Sequence, residues 1–333
     1  MHRSFTFSRF VAAFLFFLSL LNGQLHAADS QKSERIRIGY SSISGSRIGL
    51  WVAQDKGFFS RNGLQTELVV LSGILGIQSL IAGEIQFYLG ATDSAAQAAS
   101  KGSDLFLFAS AEPLRYKLIA QPTIKTIKDL RGKKIVIDRV GGTSYYVSLR
   151  LLEKVGLKPE DVDLIQVAGG GNQRVASFKT GVVSAVINST ERFEQMKVPY
   201  NALADAMELG IKAMGNSYMS TRTLRSQKRD VIQRTVRAMV EARAWAKEPK
   251  NRDAVLEVFK RYLRMDEPWL LDLYYKTYIE PIPLLPYTHL EDLREFISYM
   301  PDGNRVLQTL NLSEFADGSF LKRVEQEGIT PRR

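Results

Sequence analysis

The chain from Arg35 onward alternates short runs of β-branched and apolar residues with stretches whose apolar positions recur at helical spacing. The strand-like runs end in small polar residues or glycine, which mark the turn into the next helix. This alternation predicts α/β units built on parallel strands. The predicted strands are Ile36–Tyr40, Thr66–Leu71, Ile85–Leu89, Phe106–Ala111, Tyr116–Ala120, Ile135–Asp138, Asp163–Val167 and Val183–Ile187.

A strand, a polar loop and a helix follow one another three times, and the same order then occurs three more times. Two similar modules in tandem are therefore predicted. Any one loop could be an ordinary turn or helix cap, so the recurrence is the informative feature. The loops are Ser41–Ser46, Ser72–Gly76, Gly90–Ser94, Val140–Ser144, Ala168–Asn172 and Asn188–Thr190.

Beyond about Gly215 the pattern changes to long amphipathic helices, for which no strand is predicted. We expect this tail to pack back on the first module, so that residues 35–112 and 216–333 form one lobe and residues 113–215 form the other. The chain would cross between the lobes at Ala111–Arg115 and at Ile211–Ser217. The helices predicted in the tail are Arg229–Lys247, Arg252–Leu263, Pro268–Tyr278 and His289–Met300.

The N-terminal residues have the order of a secretory signal peptide. Arg3 and Arg9 precede an apolar run from Phe10 to Leu21, which is followed by a short polar stretch and Ala27. This order predicts a signal peptide of residues 1–27. The apolar run is shorter than the roughly 17 to 25 residues that a membrane-spanning helix needs. We therefore expect a periplasmic or otherwise extracytoplasmic protein.

Composition narrows the function further. The sequence contains no cysteine, which excludes a disulfide framework and a lipid-modified cysteine. Its formal charge of +10 comes from Lys and Arg scattered among Asp and Glu, so nucleic acid is not a predicted partner. Only His289 follows the predicted signal peptide, so we predict no metal, no other cofactor and no nucleophile–histidine pair. These features favour a binding protein over an enzyme.

The six loops are the predicted binding site. In open parallel sheets, ligands bind beyond the carboxyl ends of the strands, where helix N-termini present unpaired N–H groups. We expect both modules to line one cleft that holds a small organic molecule, and helix N-termini with basic loop ends favour an anion. The predicted ligand-binding residues are Ser42, Ser44, Gly73, Ile74, Thr92, Asp93, Ser94, Glu112, Gly142, Thr143, Ser144, Tyr145, Gly171, Asn172, Asn188 and Ser189.

Several charged residues near the loops have an ordinary structural interpretation. Asp93 is expected to cap the helix that follows it, because Asp favours helix N-termini, although it could instead bind an amino group. Glu191 has the same two interpretations, and His289 is expected at the surface. Four arginines are expected to be solvent-exposed, although each could pair with an anionic group of a ligand; they are Arg47, Arg139, Arg174 and Arg192.

Segments in both modules carry a resemblance to a known family. They are Ile36–Tyr40, Ala53–Phe59, Asn62–Val69 and Leu80–Phe87 in the first module, and Asp129–Ile135, Gly142–Ser144 and Ala176–Ala185 in the second. Together they resemble the periplasmic binding proteins of nitrate/sulfonate/taurine-type ABC importers, a family that also includes binders of pyrimidine precursors. The resemblance runs from about Ile36 to Met300.

The resemblance implies a type II periplasmic-binding-protein fold, with two α/β lobes and a hinged cleft. It implies a membrane permease and an ATPase as partners of what we expect to be a monomer. It also implies that ligand contacts Ser42, Ser44, Thr92, Ser94, Thr143 and Ser144. Two alternatives stay open, namely an enzyme of a cofactor or pyrimidine pathway on the same fold, and a receptor that reports ligand to a sensor kinase.

Overall fold

The computed structural model describes residues 33–111, 115–167, 170–212 and 214–328. From Glu34 onward the chain forms one compact unit. The predicted signal peptide lies outside the described residues, as does Glu112, one of the predicted ligand-binding residues. Parts of both predicted crossings and of the loop Ala168–Asn172 also lie outside them.

The described residues contain ten strands in two sheets. The strands are β1 (Glu34–Tyr40), β2 (Leu64–Val70), β3 (Phe87–Ala91), β4 (Leu105–Ser110), β5 (Lys117–Ala120), β6 (Lys134–Ile137), β7 (Asp163–Gln166), β8 (Ala185–Asn188), β9 (Asn201–Asp205) and β10 (Asn216–Thr221). The first sheet has the order β2-β1-β3-β10-β4, and the second has the order β7-β6-β8-β5-β9. We call each sheet, with the helices packed on it, a lobe.

Each sheet contains one reversed strand in its fourth position. In the first sheet β1 is parallel to β2 and β3, whereas β10 is antiparallel to β3 and β4. In the second sheet β6 is parallel to β7 and β8, whereas β5 is antiparallel to β8 and β9. The two sheets therefore share one topology.

The reversed strands determine which edges of the sheets meet. β4 ends at Ser110 and β5 begins at Lys117, and such a connection spans at most about 25 Å. Because β4 runs toward the carboxyl edge of the first sheet and β5 starts at the carboxyl edge of the second, the connection joins these two edges. The return from β9 to β10 joins the same edges. The carboxyl ends of the parallel strands in both lobes therefore lie next to each other.

Helices cover both faces of the sheets. Among the described residues, none of them combines the length and the apolar character that a bilayer-spanning helix requires. The α-helices are α1 (Ile48–Asp55), α2 (Phe58–Arg61), α3 (Ile74–Ile81), α4 (Thr92–Ser100), α5 (Thr143–Lys154), α6 (Gly171–Lys179), α7 (Glu191–Gln195), α8 (Arg222–Gln227), α9 (Arg229–Lys247), α10 (Arg252–Leu263), α11 (Pro268–Tyr278), α12 (Leu290–Ser298), α13 (Gly303–Thr309), α14 (Leu312–Phe315) and α15 (Ser319–Gln326).

Alternate residues of the strands face different apolar clusters, as the pleat of a strand requires. In β3, Phe87 and Leu89 pack with the cluster that contains α1 and α9, while Tyr88 packs with the cluster of α3 and α4. In β6, Ile135 and Val136 divide in the same way between the two clusters of the second lobe. Both sheets are therefore buried on both faces, which is the usual condition of parallel strands.

Helix α12 packs on both lobes. Leu293 and Ile297 belong to a cluster of the first lobe, whereas Phe296 belongs to a cluster of the second lobe and is 0% exposed. The ring of Phe296 meets that of Tyr146 in α5 edge-on, with 5.3 Å between the ring centroids. This helix therefore links the lobes in addition to the two crossings.

All eight predicted strands are present, with ends within two residues of those predicted. The expectation that the tail after Gly215 contributes no strand is wrong, because β10 lies between β3 and β4. Its sequence lacks the apolar run of a buried strand, and its buried hydroxyls are satisfied by hydrogen bonds instead. Ser217 Oγ lies 2.8 Å from Thr92 Oγ1, and Ser220 Oγ donates to the Gln86 carbonyl at 2.9 Å.

Candidate functional site

The described residues predicted to bind ligand lie at or beyond the facing carboxyl edges of the two sheets. They differ in how far they are buried. On the first lobe, Ser44, Thr92 and Asp93 are buried, Ser94 is partly buried, and Ser42, Gly73 and Ile74 are exposed. On the second lobe, Gly142, Thr143, Ser144, Asn188 and Ser189 are buried, Tyr145 and Gly171 are partly buried, and Asn172 is exposed.

Some of these polar side chains are engaged inside their own lobe. Ser144 Oγ accepts from the backbone N–H of Asp138 at 2.7 Å. Asn188 Nδ2 donates to the Gly171 carbonyl at 2.8 Å, which ties the loop after β8 to the start of α6. These bonds fix the shapes of the second-lobe loops, so that side chains beside them are held in place for contacts across the cleft.

Arg139 joins the two lobes at the start of α4. It follows β6 in the second lobe, and its Nη2 donates to the Asp93 carboxylate and, at 3.2 Å, to Ser94 Oγ. The interpretation of Asp93 as a helix cap is wrong, because α4 has no side-chain cap and the Asp93 carboxylate pairs with Arg139 instead. Asp93 and Ser94 are thus brought together with a residue from the opposite lobe.

The Asp93 carboxylate is only half satisfied. Burial raises its pKa above the usual 3.8, although the Arg139 guanidinium acts in the opposite direction. Its Oδ1 atom is buried without a hydrogen-bond partner among the described residues. A buried carboxylate oxygen without a hydrogen-bond donor lowers the stability of the fold. Buried groups with shifted pKa values are common at binding sites.

A second set of contacts between the lobes involves α11 and α7. The hydroxyl of Tyr278 donates to the Glu191 carboxylate, which also accepts from Ser189 Oγ at 2.5 Å. One helical turn earlier, the Tyr274 hydroxyl donates to Gln195 Oε1 at 3.0 Å. Burial raises the pKa of Tyr278 well above its usual range, so its hydroxyl remains a donor. Glu191 therefore ties the second lobe to α11 of the first.

The first loop of the sequence meets the same tyrosines. A Cβ atom at Gly45 would lie 2.3 Å from Tyr278 Cε2 and 2.8 Å from Tyr274 Cδ1. A glycine is therefore required there for the rings to approach the loop as closely as they do. The loop and α11 of the first lobe therefore meet α7 of the second lobe at this point.

Arg174 of α6 and Arg192 of α7 both lie near the first turn of α6 on the second lobe. Arg192 Nη1 donates to Asn172 Oδ1 at 2.7 Å, and Arg174 Nη2 is 3.4 Å from the Tyr116 hydroxyl. Burial lowers the pKa of Arg192, but the neighbouring Tyr278 and Glu191 outweigh this effect and raise it. Arg192 is therefore a cation within the cleft.

Solvent exposure is the wrong interpretation for two of the four arginines. Arg47 and Arg174 are 2% and 3% exposed, respectively. Both lie at the start of a helix on a facing edge, where the side chain turns inward instead of toward solvent. Arg47 Nη2 donates to Ser41 Oγ at 3.1 Å, so it braces the first loop from within.

The tyrosines of α11 are candidate site residues that the sequence reasoning does not identify. Tyr274 and Tyr278 stand one turn apart on a helix, a spacing that fits ordinary core packing equally well. The only sequence signal is that both aromatic residues on this face carry a hydroxyl, which must find a partner when it is buried. Nothing in the sequence indicates that the partners belong to the other lobe.

Within the described ranges, no group of three or more His, Asp or Glu side chains is placed to hold a metal ion. His289 precedes α12 and is exposed, as predicted.

A separate pocket of about 420 Å³ lies beside the crossings between the lobes. Its lining is mostly apolar and comes from Ser110 and Ala111, from residues 207–216 and from residues 283–292. None of the predicted ligand-binding residues that the structure describes contributes to this lining. The pocket is therefore distinct from the cleft between the carboxyl edges.

Comparison with known proteins supports one family. Residues 45–251, more than half of the chain, match the model of the family described as NMT1/THI5 like. A Haemophilus influenzae protein whose name assigns it to thiamine biosynthesis is 27% identical over 207 residues, which are 61% of this chain and 63% of that protein. The match thus spans less than two thirds of the relative.

Solved structures match over most of the chain. The Escherichia coli aliphatic sulphonate binding protein SsuA has a TM-score of 0.66 and 19% identity, covering 86% of this chain and 96% of that one. The nitrate-binding protein NrtA of Synechocystis PCC 6803 has a TM-score of 0.66 and 13% identity, covering 89% of each chain. The desulfurization enzyme DSZB has a TM-score of 0.64 and 18% identity, covering 88% of this chain and 100% of that one. These identities establish the fold alone, and they confirm the predicted two-lobed α/β architecture of periplasmic binding proteins.

Proposed function

The chain belongs to the NMT1/THI5-like family, and from this premise we propose that it is the solute-binding component of an ABC importer. It binds a small organic molecule between its two lobes and delivers it to a membrane permease. It works outside the cytoplasm as a monomer, after removal of the predicted signal peptide. No bond of the ligand is made or broken.

The polar contacts between the lobes are the observation that carries this proposal. Arg139 reaches across to Asp93, and Tyr278 reaches across to Glu191. All four side chains come from the facing edges or from α11, so a molecule that enters the cleft meets donors and acceptors from both lobes. A ligand that contacts both lobes stabilises the closed arrangement and shifts the population toward it.

Exposed apolar side chains favour a partner at the mouth of the cleft. Ile43, Ile74 and Leu75 follow strands of the first sheet and are 53%, 71% and 60% exposed. Val140 follows β6 of the second sheet and is 45% exposed. Because large exposed apolar groups mark interaction surfaces, we assign this rim to the permease, which would contact both lobes when they are closed.

An enzyme on the same fold is the competing proposal. The desulfurization enzyme is a structural neighbour, and the Haemophilus relative carries a biosynthetic name. A receptor for a sensor kinase would bind its ligand as the importer component does. Recovery of the ligand unchanged separates binding from catalysis, and stimulation of a permease–ATPase complex separates transport from sensing.

The experiment that tests the proposal measures closure directly. The sequence contains no cysteine, so Lys101→Cys and Glu160→Cys, at exposed positions on opposite lobes, accept a fluorescent donor and acceptor without background labelling. We expect one class among sulfonates, nitrate, carboxylates, amino acids and pyrimidine precursors to change energy transfer at saturation and to be recovered unchanged. A compound that is consumed would support the enzyme, and unchanged energy transfer with all classes would contradict the proposal.

A further inference from the structure

We propose that the start of α6 is an anion-binding subsite, in which Arg174 and Arg192 hold a carboxylate, sulfonate or phosphate group of the ligand. The inference rests on the proposed function, since the subsite lies on the second-lobe edge of the cleft. It goes further by naming the charge of the ligand and the lobe that holds that charge.

Arg174 is a buried cation that forms no ion pair with the acidic residues that the structure describes. Its side chain is 3% exposed, and its Nε has no hydrogen-bond partner among the described residues. Among the residues that the structure describes, the guanidinium has one hydrogen bond, the 3.4 Å contact of Nη2 with the Tyr116 hydroxyl. Burial of a guanidinium without a carboxylate costs several kcal/mol in general. Binding of an anion would offset this cost, which the described side chains do not offset.

The first turn of α6 adds donors at the same place. The helix has nine residues and begins without a side-chain cap, and the N-terminus of an α-helix presents N–H groups that lack intrahelical partners. Arg174 is its fourth residue, and helix side chains lean toward the N-terminus. The guanidinium, whose Nε has no hydrogen-bond partner among the described residues, is therefore expected near the end of the helix that attracts anions.

Arg192 brings a second positive charge to this turn. A Cβ atom at Gly171 would lie 2.6 Å from Arg192 Nε, so the glycine allows the guanidinium to rest against the backbone. Tyr116 is a neighbour of Arg174 and contributes to the electrostatic environment of Arg192 as well. The two cations are thus grouped around one hydroxyl and one helix terminus.

The nearby acid does not neutralise both charges. Glu191 is the carboxylate beside Arg192, and it already accepts from Tyr278 and Ser189. Within the part of the chain that the structure describes, one positive charge therefore remains for the ligand. Guanidinium groups bind planar or tetrahedral oxyanions through paired N–H donors, which makes an organic carboxylate, sulfonate or phosphate the matching class.

The test compares Arg174→Met and Arg174→Lys with Lys179→Met, which removes a charge from the exposed other end of the same helix. The full-length protein is refolded from urea to strip bound ligand and then melted with ethanesulfonate, propionate or inorganic phosphate. Sodium chloride at equal ionic strength and neutral ethanesulfonamide serve as controls. Calorimetric titration gives the dissociation constants.

We expect at least one anion to raise the melting temperature of the wild type by several degrees, which ethanesulfonamide does not do. Loss of a buried charged donor should weaken anion binding about thirtyfold or more in Arg174→Met. Arg174→Lys should lose less, and Lys179→Met should match the wild type. Without anion, Arg174→Met should melt at a higher temperature than the wild type, because it removes an uncompensated buried charge.

Three results would overturn the inference: a wild type that none of the anions stabilises, an Arg174→Met variant that keeps the anion response, or an Arg174→Met variant that melts below Lys179→Met without anion. The labelled cysteine pair separates this failure from failure of the proposed function. If a neutral compound closes both the wild type and Arg174→Met, the proposed binding function would be supported and the proposed anion subsite would be contradicted. If no compound causes closure, the proposed binding function itself would be contradicted.

Discussion

The side chain of Asp93 is 1% exposed and carries a charge at the junction of the lobes. Its raised pKa has a definite consequence for stability. A carboxyl whose pKa is higher in the folded state than in the unfolded chain favours folding fully at low pH, and this contribution is lost as pH rises through the folded pKa. Asp93 therefore destabilises the protein more at neutral pH than below pH 3.8.

We predict that Asp93→Asn becomes more stable relative to the wild type as pH rises from below 3.8 toward 7. The amide avoids the cost of a buried charge, and Arg139 stays partly hydrated because its side chain is 41% exposed. The measurement is the difference in melting temperature between variant and wild type along a pH series. A difference that is constant with pH, or that falls, would contradict the raised pKa.

Asp104→Asn is the matched control with the opposite sign. Burial raises the pKa of Asp104, but hydrogen bonds from Thr223 and Arg222 outweigh this effect and lower it. A lowered pKa contributes stability above the usual 3.8 and loses it as pH falls. Asp104→Asn should therefore become less stable relative to the wild type as pH rises, so the two variants should diverge.

The sequence predicts which loops carry the site residues, but it does not predict the pairings. The preference of Asp for helix N-termini is local, whereas the partner that Asp93 takes, Arg139, is 46 residues away in the chain. Arg174 looks like one of many surface arginines until the fold places it on an inward face. Charge partners depend on how the lobes are apposed, which is a property of tertiary structure.

At the scale of elements, α11 is the part of the first lobe that extends hydroxyls to the second. We predict that Tyr278→Phe lowers stability by about 1–3 kcal/mol, because it leaves the buried Glu191 carboxylate short of one donor. It should also shift the labelled protein toward the open arrangement. Urea unfolding and energy transfer between the two labels check these effects.

Tyr287→Phe is the control for that variant. It also removes a hydroxyl that donates to a glutamate, Glu325, at 2.8 Å, but this pair is exposed and lies within the first lobe. We expect it to change stability by less than Tyr278→Phe and to leave closure unchanged. Equal effects of the two variants on energy transfer would show that Tyr278 does not act between the lobes.

Element boundaries follow closely from hydrophobic periodicity where the helices are long. The bounds of α9, α10 and α11 are those that the pattern predicts, because their apolar positions recur at helical spacing over three to five turns. Hydrophobic periodicity does not predict the strands β9 and β10. The residues of β9 are partly buried or exposed, and its sequence contains only one large apolar residue, Leu203. The buried positions of β10 include two serines that form hydrogen bonds, so no apolar alternation marks either strand.

At the scale of the whole molecule, α12 couples the two lobes through opposite faces. We predict that Phe296→Ala lowers stability by about 3–5 kcal/mol, as loss of a buried phenyl ring generally does, and separates the unfolding of the lobes. Scanning calorimetry should show one transition for the wild type and two for the variant. A single transition at a lower temperature would indicate that the crossings suffice to couple the lobes.

Phe315→Ala is the control for that variant, because it also removes a buried phenyl ring but one that packs inside a single lobe. Phe315 is 0% exposed and belongs only to a cluster of the first lobe. Replacement of Phe315 by Ala should lower stability by a similar amount, and the two lobes should still unfold in one transition. Two transitions in this control would show that any large cavity uncouples the lobes, whatever its position.

The two-lobed architecture could be predicted from the sequence because six strand–loop–helix joints recur in two sets of three. The position of α12 across both lobes could not. Its apolar residues fit one amphipathic helix on one surface, and only the structure divides Leu293 and Phe296 between two cores. The local sequence pattern predicts which face of a helix is buried, but it does not predict whether one lobe or two lobes pack against that face.

The place of the reversed strands bears on how the molecule carries mechanical load. β5 lies between β8 and β9, and β10 lies between β3 and β4, so each crossing enters a sheet through a strand that is bonded along both sides. At its other end each crossing leaves an edge strand, β4 or β9, which is bonded along one side only. A force that pulls the lobes apart therefore loads one ladder at the edge strand and two ladders at the central strand. We therefore expect the edge strands β4 and β9 to yield before the central strands β5 and β10 when the lobes are pulled apart.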